Sequence, residues 1–398
     1  WMDGGGKDGV VHVWNNGWPG WDDPDPDMLR SFAILFRPKD IITRCYSGIT
    51  LRDYQEECLR VCLQAYKEDK INRQAVSLPV GSGKTMIFSN LISRLPPPTE
   101  FATKTLVLAH REELLDQAAR MINLVNPKLR VVIEQGKSKA DPTNADVIVA
   151  SVPTLGRRDS RRLEKYDPSQ FKCVVVDEAH HAAADSYLRI LRHFNLMDPL
   201  KANHILLWGC SATLSRNDDL ALGSVFDKVV YHIDLMRVMR AGHLCPLQTV
   251  QVDTDLVLDD GNSNSGNIGL RNGDYDQHQL SLAIDTPKRN QMVVDTWHRV
   301  AYTLHKRQST IVFGLNVKHV ESMAHLFCVL SPEIRPAVIT GDTIDSVRRD
   351  ILSQYQEGRI QVILNCAVLT EGTDLPRTDC VLLTRPTCNA NLYVQMVG

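Results

Sequence analysis

The sequence has no run of about 18 apolar residues, which excludes a membrane-spanning helix. It has no Cys-x-x-Cys pair. Its ten cysteines, at 45, 58, 62, 173, 210, 245, 328, 366, 380 and 388, are scattered, and the 13 histidines do not join them at zinc spacing. A disulfide scaffold and a zinc-ribbon protein are therefore set aside. Most cysteines lie in apolar runs, such as Cys173 before Val174-Val175-Val176, and read as small buried hydrophobes in a reducing compartment. Cys58 and Cys62 share one helix face at i, i+4, and core packing is preferred there over a metal. Net charge is scarce too. Forty-five basic residues oppose 47 acidic ones, for a formal charge of -2. No global basic field marks a nucleic-acid binder, although a local basic groove remains open. Glycine (23) and proline (19) are too few for a collagen-like chain.

What is present is an ordinary globular composition. The chain has 398 residues, 43% of them hydrophobic and 23% charged. Its mass is 44.7 kDa and its mean hydropathy is -0.20, enough for two or three domains. Residues 1–27 differ from the rest. They carry six Asp and one Lys, four of the six Trp and six of the 23 Gly, with neither helical nor strand periodicity. They read as a non-native or disordered leader with the true start at Met28. Residues 28–47 come next, with Arg30, Arg37, Lys39 and Arg44 against Asp40, and an apolar face of Leu29, Phe32, Ile34, Leu35 and Phe36. Arg-rich, acid-poor and amphipathic is how a mitochondrial transit peptide reads. The alternative is a short surface helix. The expected localisation is the mitochondrial matrix, with nucleus or cytoplasm as alternatives.

From residue 50 onward the pattern is βαβ. Apolar runs at Ala75–Leu78, Thr105–Ala109, Asp146–Ala150, Cys173–Asp177 and His204–Trp208 alternate with helical patterns. Strands of this kind are covered on both faces, so the sheet is mostly parallel. A second series occurs at Thr310–Phe313, Ala337–Thr340, Gln361–Asn365 and Val381–Thr384, after the polar stretch Asp259–Gly273. The expected fold is α/β, with two domains at 48–245 and 285–398 and a linker at 246–284.

The chemistry begins at Leu78-Pro79-Val80-Gly81-Ser82-Gly83-Lys84-Thr85, between a strand and a helix. Gly81 and Gly83 let the backbone N–H groups turn toward phosphate oxygens, and the helix N-terminus adds a favourable dipole. Lys84 would reach the β- and γ-phosphates and Thr85 would ligate Mg²⁺. Leu78 stands where the strict phosphate-loop pattern has its first glycine. A second strand ends in Asp177-Glu178-Ala179-His180-His181. Asp177 is placed to hold Mg²⁺, and Glu178 to polarise the attacking water.

These motifs together resemble the superfamily 2 helicases. Pro79–Thr85 is similar to their motif I, and Asp177–His180 to a DEAH-type motif II. Leu51-Arg52-Asp53-Tyr54-Gln55 resembles the upstream adenine element, with Arg52 and Gln55 on the base. Val107–Gln117 resembles motif Ia and Ala150–Leu155 motif Ib, with Arg111 and Thr154 near the nucleic-acid backbone. Ser211-Ala212-Thr213 resembles motif III, which couples hydrolysis to motion, and Thr310–Phe313 the motif IV strand. Thr370–Pro376 resembles motif V, with Gly372 and Asp374 toward the nucleotide and Thr370 toward the strand. The resemblance spans about residues 51–398. It implies two RecA-like domains in tandem, the second incomplete, using ATP and Mg²⁺.

Two details separate the chain from RNA-specific DEAD-box proteins. His180 stands in place of their final Asp, and motif Ia reads His-Arg-Glu-Glu-Leu. The wording is more similar to the restriction-enzyme-like branch, which includes DNA translocases and a mitochondrial helicase that remodels branched DNA. The expected function is therefore an ATP-dependent DNA helicase or translocase on duplex or branched DNA. An RNA helicase and a non-enzymatic ATP-dependent nucleic-acid-binding fragment are the alternatives. Motif VI begins at Gln395, and the sequence reaches Gly398 without the two arginines of that motif. Arginine fingers are worth roughly 10³–10⁵ in rate. This polypeptide is therefore expected to bind ATP and hydrolyse it slowly.

Overall fold

A computed structural model describes residues 11–15, 32–36, 50–198, 204–212, 222–245, 247–252, 268–271, 274–369 and 375–397. Among the described residues no helix is long and apolar enough to cross a membrane. The strands in chain order are β1 (Val11–Asn15), β2 (Phe32–Phe36), β3 (Arg73–Ser77), β4 (Lys104–Ala109), β5 (Val131–Glu134), β6 (Val147–Ser151), β7 (Phe171–Asp177), β8 (Leu206–Ser211), β9 (Lys228–His232), β10 (Gln248–Val252), the short pair β11 (Leu270–Arg271) and β12 (Asp274–Tyr275), β13 (Thr310–Phe313), β14 (Pro336–Ile339), β15 (Val362–Asn365) and β16 (Cys380–Leu383). The chain divides into two compact units, residues 44–244 and residues 1–43 with 245–398.

The first unit is a seven-stranded sheet in the order β5-β6-β4-β7-β8-β3-β9, parallel at every pairing. Side chains alternate across a strand, so β7 feeds two cores at once. Cys173 and Val175 pack with Phe88, Ile122 and Trp208 on one face. Val174 and Val176 pack with Tyr166, Phe171 and Phe194 on the other. Because both faces are covered by other elements, its stretch Cys173–Val176 is a continuous apolar run instead of an alternating one. Cys58 and Cys62 both lie in the first of these cores, where Trp208 Nε1 donates to Cys62 Sγ at 3.3 Å.

The second unit carries the order β1-β10-β2-β16-β13-β15-β14. Strands β16, β13, β15 and β14 are mutually parallel, whereas β2, β10 and β1 are antiparallel additions. Strand β10 falls in the stretch expected to be linker. Of the polar stretch 259–273, most lies outside the described residues.

The N-terminal segment differs most from its sequence reading. Phe32–Phe36 carries no helix. It is a strand paired on one side with β10 (Ile34 opposite Val250) and on the other with β16 (Ile34 opposite Leu382). Ile34 is buried with Trp297 and Val312. Ala33 and Leu35 are buried on the opposite face with Phe313 and Leu383. The run Phe-Ala-Ile-Leu-Phe satisfies a strand covered on both faces as well as it satisfies one face of a helix, and the ladders on either side decide between them. Val11–Asn15 also enters this sheet, against β10, although its sequence shows no strand periodicity. The remainder of residues 1–49 lies outside the described residues. Processing after Phe36 would remove a strand that is hydrogen-bonded on both edges.

Ile34→Ala is expected to lower the unfolding free energy of the second unit by about 2–5 kcal/mol, the usual cost of truncating a fully enclosed Ile. Denaturant unfolding followed through the fluorescence of Trp297, which shares that core, would measure it.

Candidate active site

Parallel pairing brings the ends of three strands level. Ser77 of β3 pairs with Ser211 of β8, and Asp177 of β7 pairs with Cys210 of β8. The carboxyl ends of parallel strands are where ligands collect in α/β sheets. Here they gather the phosphate-loop segment, the acidic pair and the serine of motif III on one edge of one domain.

The loop after β3 starts with Leu78, whose N–H donates to the Ser211 carbonyl at 2.9 Å. Gly81 and Gly83 have φ of +72° and +79°, the left-handed region that glycine enters without penalty. At Gly83 a Cβ would fall 2.6 Å from Gln55 Nε2. The glycine is therefore needed for the approach of Gln55 as well as for the turn. Ser82 is buried. Its Oγ donates to the Pro79 carbonyl at 2.6 Å, and its carbonyl accepts from Gln55 Nε2 (2.8 Å) and the Tyr54 hydroxyl (2.6 Å). Arg52 Nη1 donates to that same hydroxyl at 3.1 Å, and Arg52 N–H donates to Gln55 Oε1 at 2.9 Å. Arg52 and Gln55 thus stand against the loop. Tyr54, unassigned from the sequence, links them to it.

Gly83 caps the helix Lys84–Arg94, which has no acidic residue in its first turn. The positive end of its dipole is left for an anion. Lys84 and Thr85 occupy the first two helical positions. Lys84 Nζ donates to Glu178 Oε1 at 3.2 Å, with side-chain exposures of only 12% and 16%. Burial works against the ammonium charge, but the Glu178 and Asp177 carboxylates outweigh it and hold Lys84 above its usual range. Asp177 is pushed upward by burial and by the neighbouring Glu178 charge. Its Oδ1 accepts from the Glu178 N–H (3.0 Å) and the Cys210 thiol (3.4 Å). Glu178 leaves the strand abruptly, at φ +52°. A non-glycine residue there carries strain on the order of 1 kcal/mol, and the turn aims its carboxylate at Lys84. His180 Nδ1 lies 3.0 Å from Ser211 Oγ and 3.5 Å from Glu178 Oε2.

The donor set fits a magnesium nucleotide. The loop has left-handed glycines and an uncompensated helix N-terminus for phosphates. Asp177 is a buried carboxylate whose charge is disfavoured by its surroundings, which is where a divalent cation reverses the balance.

The other expected residues fall elsewhere. Arg111 is the N-terminal cap of the helix Glu112–Val125, directly after β4. Thr154 lies in the short helix Val152–Leu155 after β6, where its hydroxyl accepts from Gly136 N–H at 3.1 Å. Strands β4 and β6 are the next ones along from β7, so these two residues share the carboxyl edge with the phosphate loop. Gln395 is in the helix Ala390–Val397 of the second unit. Thr213, Thr370, Gly372 and Asp374 lie outside the described residues. Sequence reading missed Cys210. Its signal was its place directly before Ser211, masked by the apolar run around it.

Fold and loop together define a P-loop protein of the tandem RecA-like type. Residues 48–216 match the family described as "Type III restriction enzyme, res subunit", and residues 292–398 match "Helicase conserved C-terminal domain". The chain is 37% identical over 377 residues to a Saccharomyces cerevisiae protein named "Putative ATP-dependent helicase IRC3", covering 92% of this chain and 52% of that one. It is 36% identical over 353 residues to the Schizosaccharomyces pombe "Putative mitochondrial ATP-dependent helicase irc3", covering 88% and 55%. The chain thus spans about half the length of the curated relatives it matches. The Pyrococcus furiosus Hef helicase domain shares the fold, with a TM-score of 0.52 at 16% identity over 87% of this chain and 92% of that domain. The chain belongs to the superfamily 2 helicases of the type III restriction-enzyme kind.

One buried charge supports the edge that carries Thr154. Glu134, fully enclosed at the end of β5, accepts from Arg162 (3.0 Å), Lys165 (2.7 Å), the Tyr166 hydroxyl (3.1 Å) and the Ala140 N–H (2.6 Å). Burial opposes its ionisation, but these donors prevail and hold the carboxyl below its usual value of 4.5. A depressed carboxylate pKa stabilises the fold above that value, and the gain is lost as pH falls through the folded-state value. The thermal stability of the native chain should therefore fall below about pH 4.5, and Glu134→Gln, less stable at neutral pH, should show a flatter acid limb.

Proposed function

We propose that the chain is the motor portion of an ATP-dependent DNA helicase or translocase acting on duplex or branched DNA in mitochondria. The observation that carries the reading is the Lys84–Glu178–Asp177 cluster at the level ends of β3, β7 and β8, beside a loop shaped for phosphates. Lys84 binds the β- and γ-phosphates. Thr85 and Asp177 hold Mg²⁺, which when bound neutralises charge on the transferring phosphoryl group. Glu178 exchanges its lysine partner for the attacking water and orients it. Arg52 and Gln55, already bonded to the phosphate-loop neighbourhood, contact the adenine. His180 completes the catalytic set with Lys84, Asp177 and Glu178, and Ser211, Thr213 and Gln395 couple turnover to motion. Arg111, Thr154 and Thr370 contact the nucleic-acid backbone. Such contacts carry no sequence information, which suits a translocase.

DNA is favoured over RNA by the His-Arg-Glu-Glu-Leu wording at Arg111 and by His180, and by the family match over residues 48–216. Mitochondrial location is supported by the name of the Schizosaccharomyces pombe relative.

Glu178→Gln is expected to cut ATP turnover by about 10²–10⁴-fold, the usual contribution of a positioned base, while leaving ATP affinity near that of the native chain. Hydrolysis assays with single-stranded, duplex and branched DNA and with RNA, using Lys84→Ala as the blank, test the substrate class. Stimulation chiefly by duplex or branched DNA supports the reading, and stimulation chiefly by RNA replaces it with an RNA helicase. Binding to duplex should weaken steeply with salt.

A further inference from the structure

Three histidine rings run across the carboxyl edge of the first domain, and only one of them belongs to the nucleotide site. His180 touches Ser211 Oγ (3.0 Å) and lies 3.5 Å from Glu178 Oε2. Its ring packs on His181, centroid to centroid 4.0 Å, tilted by 47°. His181 in turn meets His110 at 4.9 Å and 67°, edge to face. His110 is the residue between Ala109, the last of β4, and Arg111, the cap of the next helix. Since β4 and β7 are adjacent, the rings bridge the ends of neighbouring strands, from the acidic pair to the expected nucleic-acid contact.

The base of this bridge is stiff. Glu178 to His181 form one tight turn, with His181 N–H donating to the Glu178 carbonyl (3.0 Å) and Ala182 N–H to the Ala179 carbonyl (2.9 Å). Ala179 is fully buried in the middle of it. The turn carries Glu178 at one end and His181 at the other, so a movement of its backbone displaces both side chains together. The His181 ring meets that of His110, which is covalently next to Arg111. Aromatic pairs of this kind hold specific offset or edge-on geometries, so the shift is transmitted as a change of position.

We propose that His181 and His110 are positioning residues that couple the ATP site to the nucleic-acid edge within the first domain, resting on the functional reading above. Neither needs to touch nucleotide or nucleic acid to do so. The coupling is a binding linkage and is reciprocal, so it can be read without turnover.

The test is a titration of the whole chain with a fluorescent non-hydrolysable ATP analogue, with and without a short DNA duplex. In the native chain duplex is expected to tighten analogue binding by about 5- to 150-fold, the usual span of site-to-site coupling. His181→Ala is expected to bring that factor to within about twofold of one, with the analogue's affinity in the absence of DNA little changed. His181→Phe, which keeps a ring in place, should retain most of the coupling and rule out simple misfolding as the cause. His110→Ala should act like His181→Ala, and the double variant should lose no more than either, because one contact is being removed twice. Full coupling in folded His181→Ala overturns the inference. So does loss of analogue binding without DNA, which marks a merely structural role. Absence of any coupling in the native chain overturns the functional reading, and the inference with it.

Discussion

The register between β3, β8 and β7 is the constraint on which the nucleotide site depends. Hydrogen bonding that sets Ser77 opposite Ser211 and Asp177 opposite Cys210 leaves little freedom to the segment after each strand. The phosphate loop must leave β3 beside Ser211, and the acidic turn must leave β7 beside the loop. Lys84 and Glu178 are 94 positions apart in the chain and meet at 3.2 Å because of it. A slip of one residue in either ladder would turn each side chain to the opposite face and separate them.

The same sheet sorts two kinds of residue along one edge. Phosphate-loop and acidic residues succeed β3, β8 and β7, while Arg111 and Thr154 succeed β4 and β6. The turn at Glu178–His181, after β7, stands at the border. Two buried charges of the first unit are surrounded by partners. Lys84 is held charged by two carboxylates, and Glu134 is held charged by a lysine, an arginine, a hydroxyl and an amide. An unpaired ion at either place would cost several kcal/mol.

The second sheet is assembled from pieces far apart in sequence. Its parallel strands come from residues 310–383, but the strand beside β16 comes from Phe32–Phe36, and β10 comes from the segment after the first domain. Loop-closure entropy rises only slowly with separation. Burial of Ile34 on one face and of Ala33 and Leu35 on the other is reward enough to hold so distant a segment.

Sequence alone determined the local chemistry. Gly81, Gly83 and Lys84 between an apolar strand and a helix, and an apolar run ending in Asp177-Glu178, are patterns whose spacing lies within one or two elements, so no tertiary knowledge was needed to see a phosphate site and a parallel sheet. The strands that are apolar on both faces, β4, β6, β7 and β13, were legible for the same reason. Tertiary structure decided what depends on partners distant in the chain. Phe32–Phe36 has the composition of either a helix face or a buried strand, and only the ladders to β10 and β16 choose. Tyr54 and Cys210 look like core residues until the fold brings them to Ser82 and Asp177. His110 and His181 are 71 positions apart, and their contact exists because β4 and β7 are neighbours in the sheet, a fact of pairing order that no local pattern encodes.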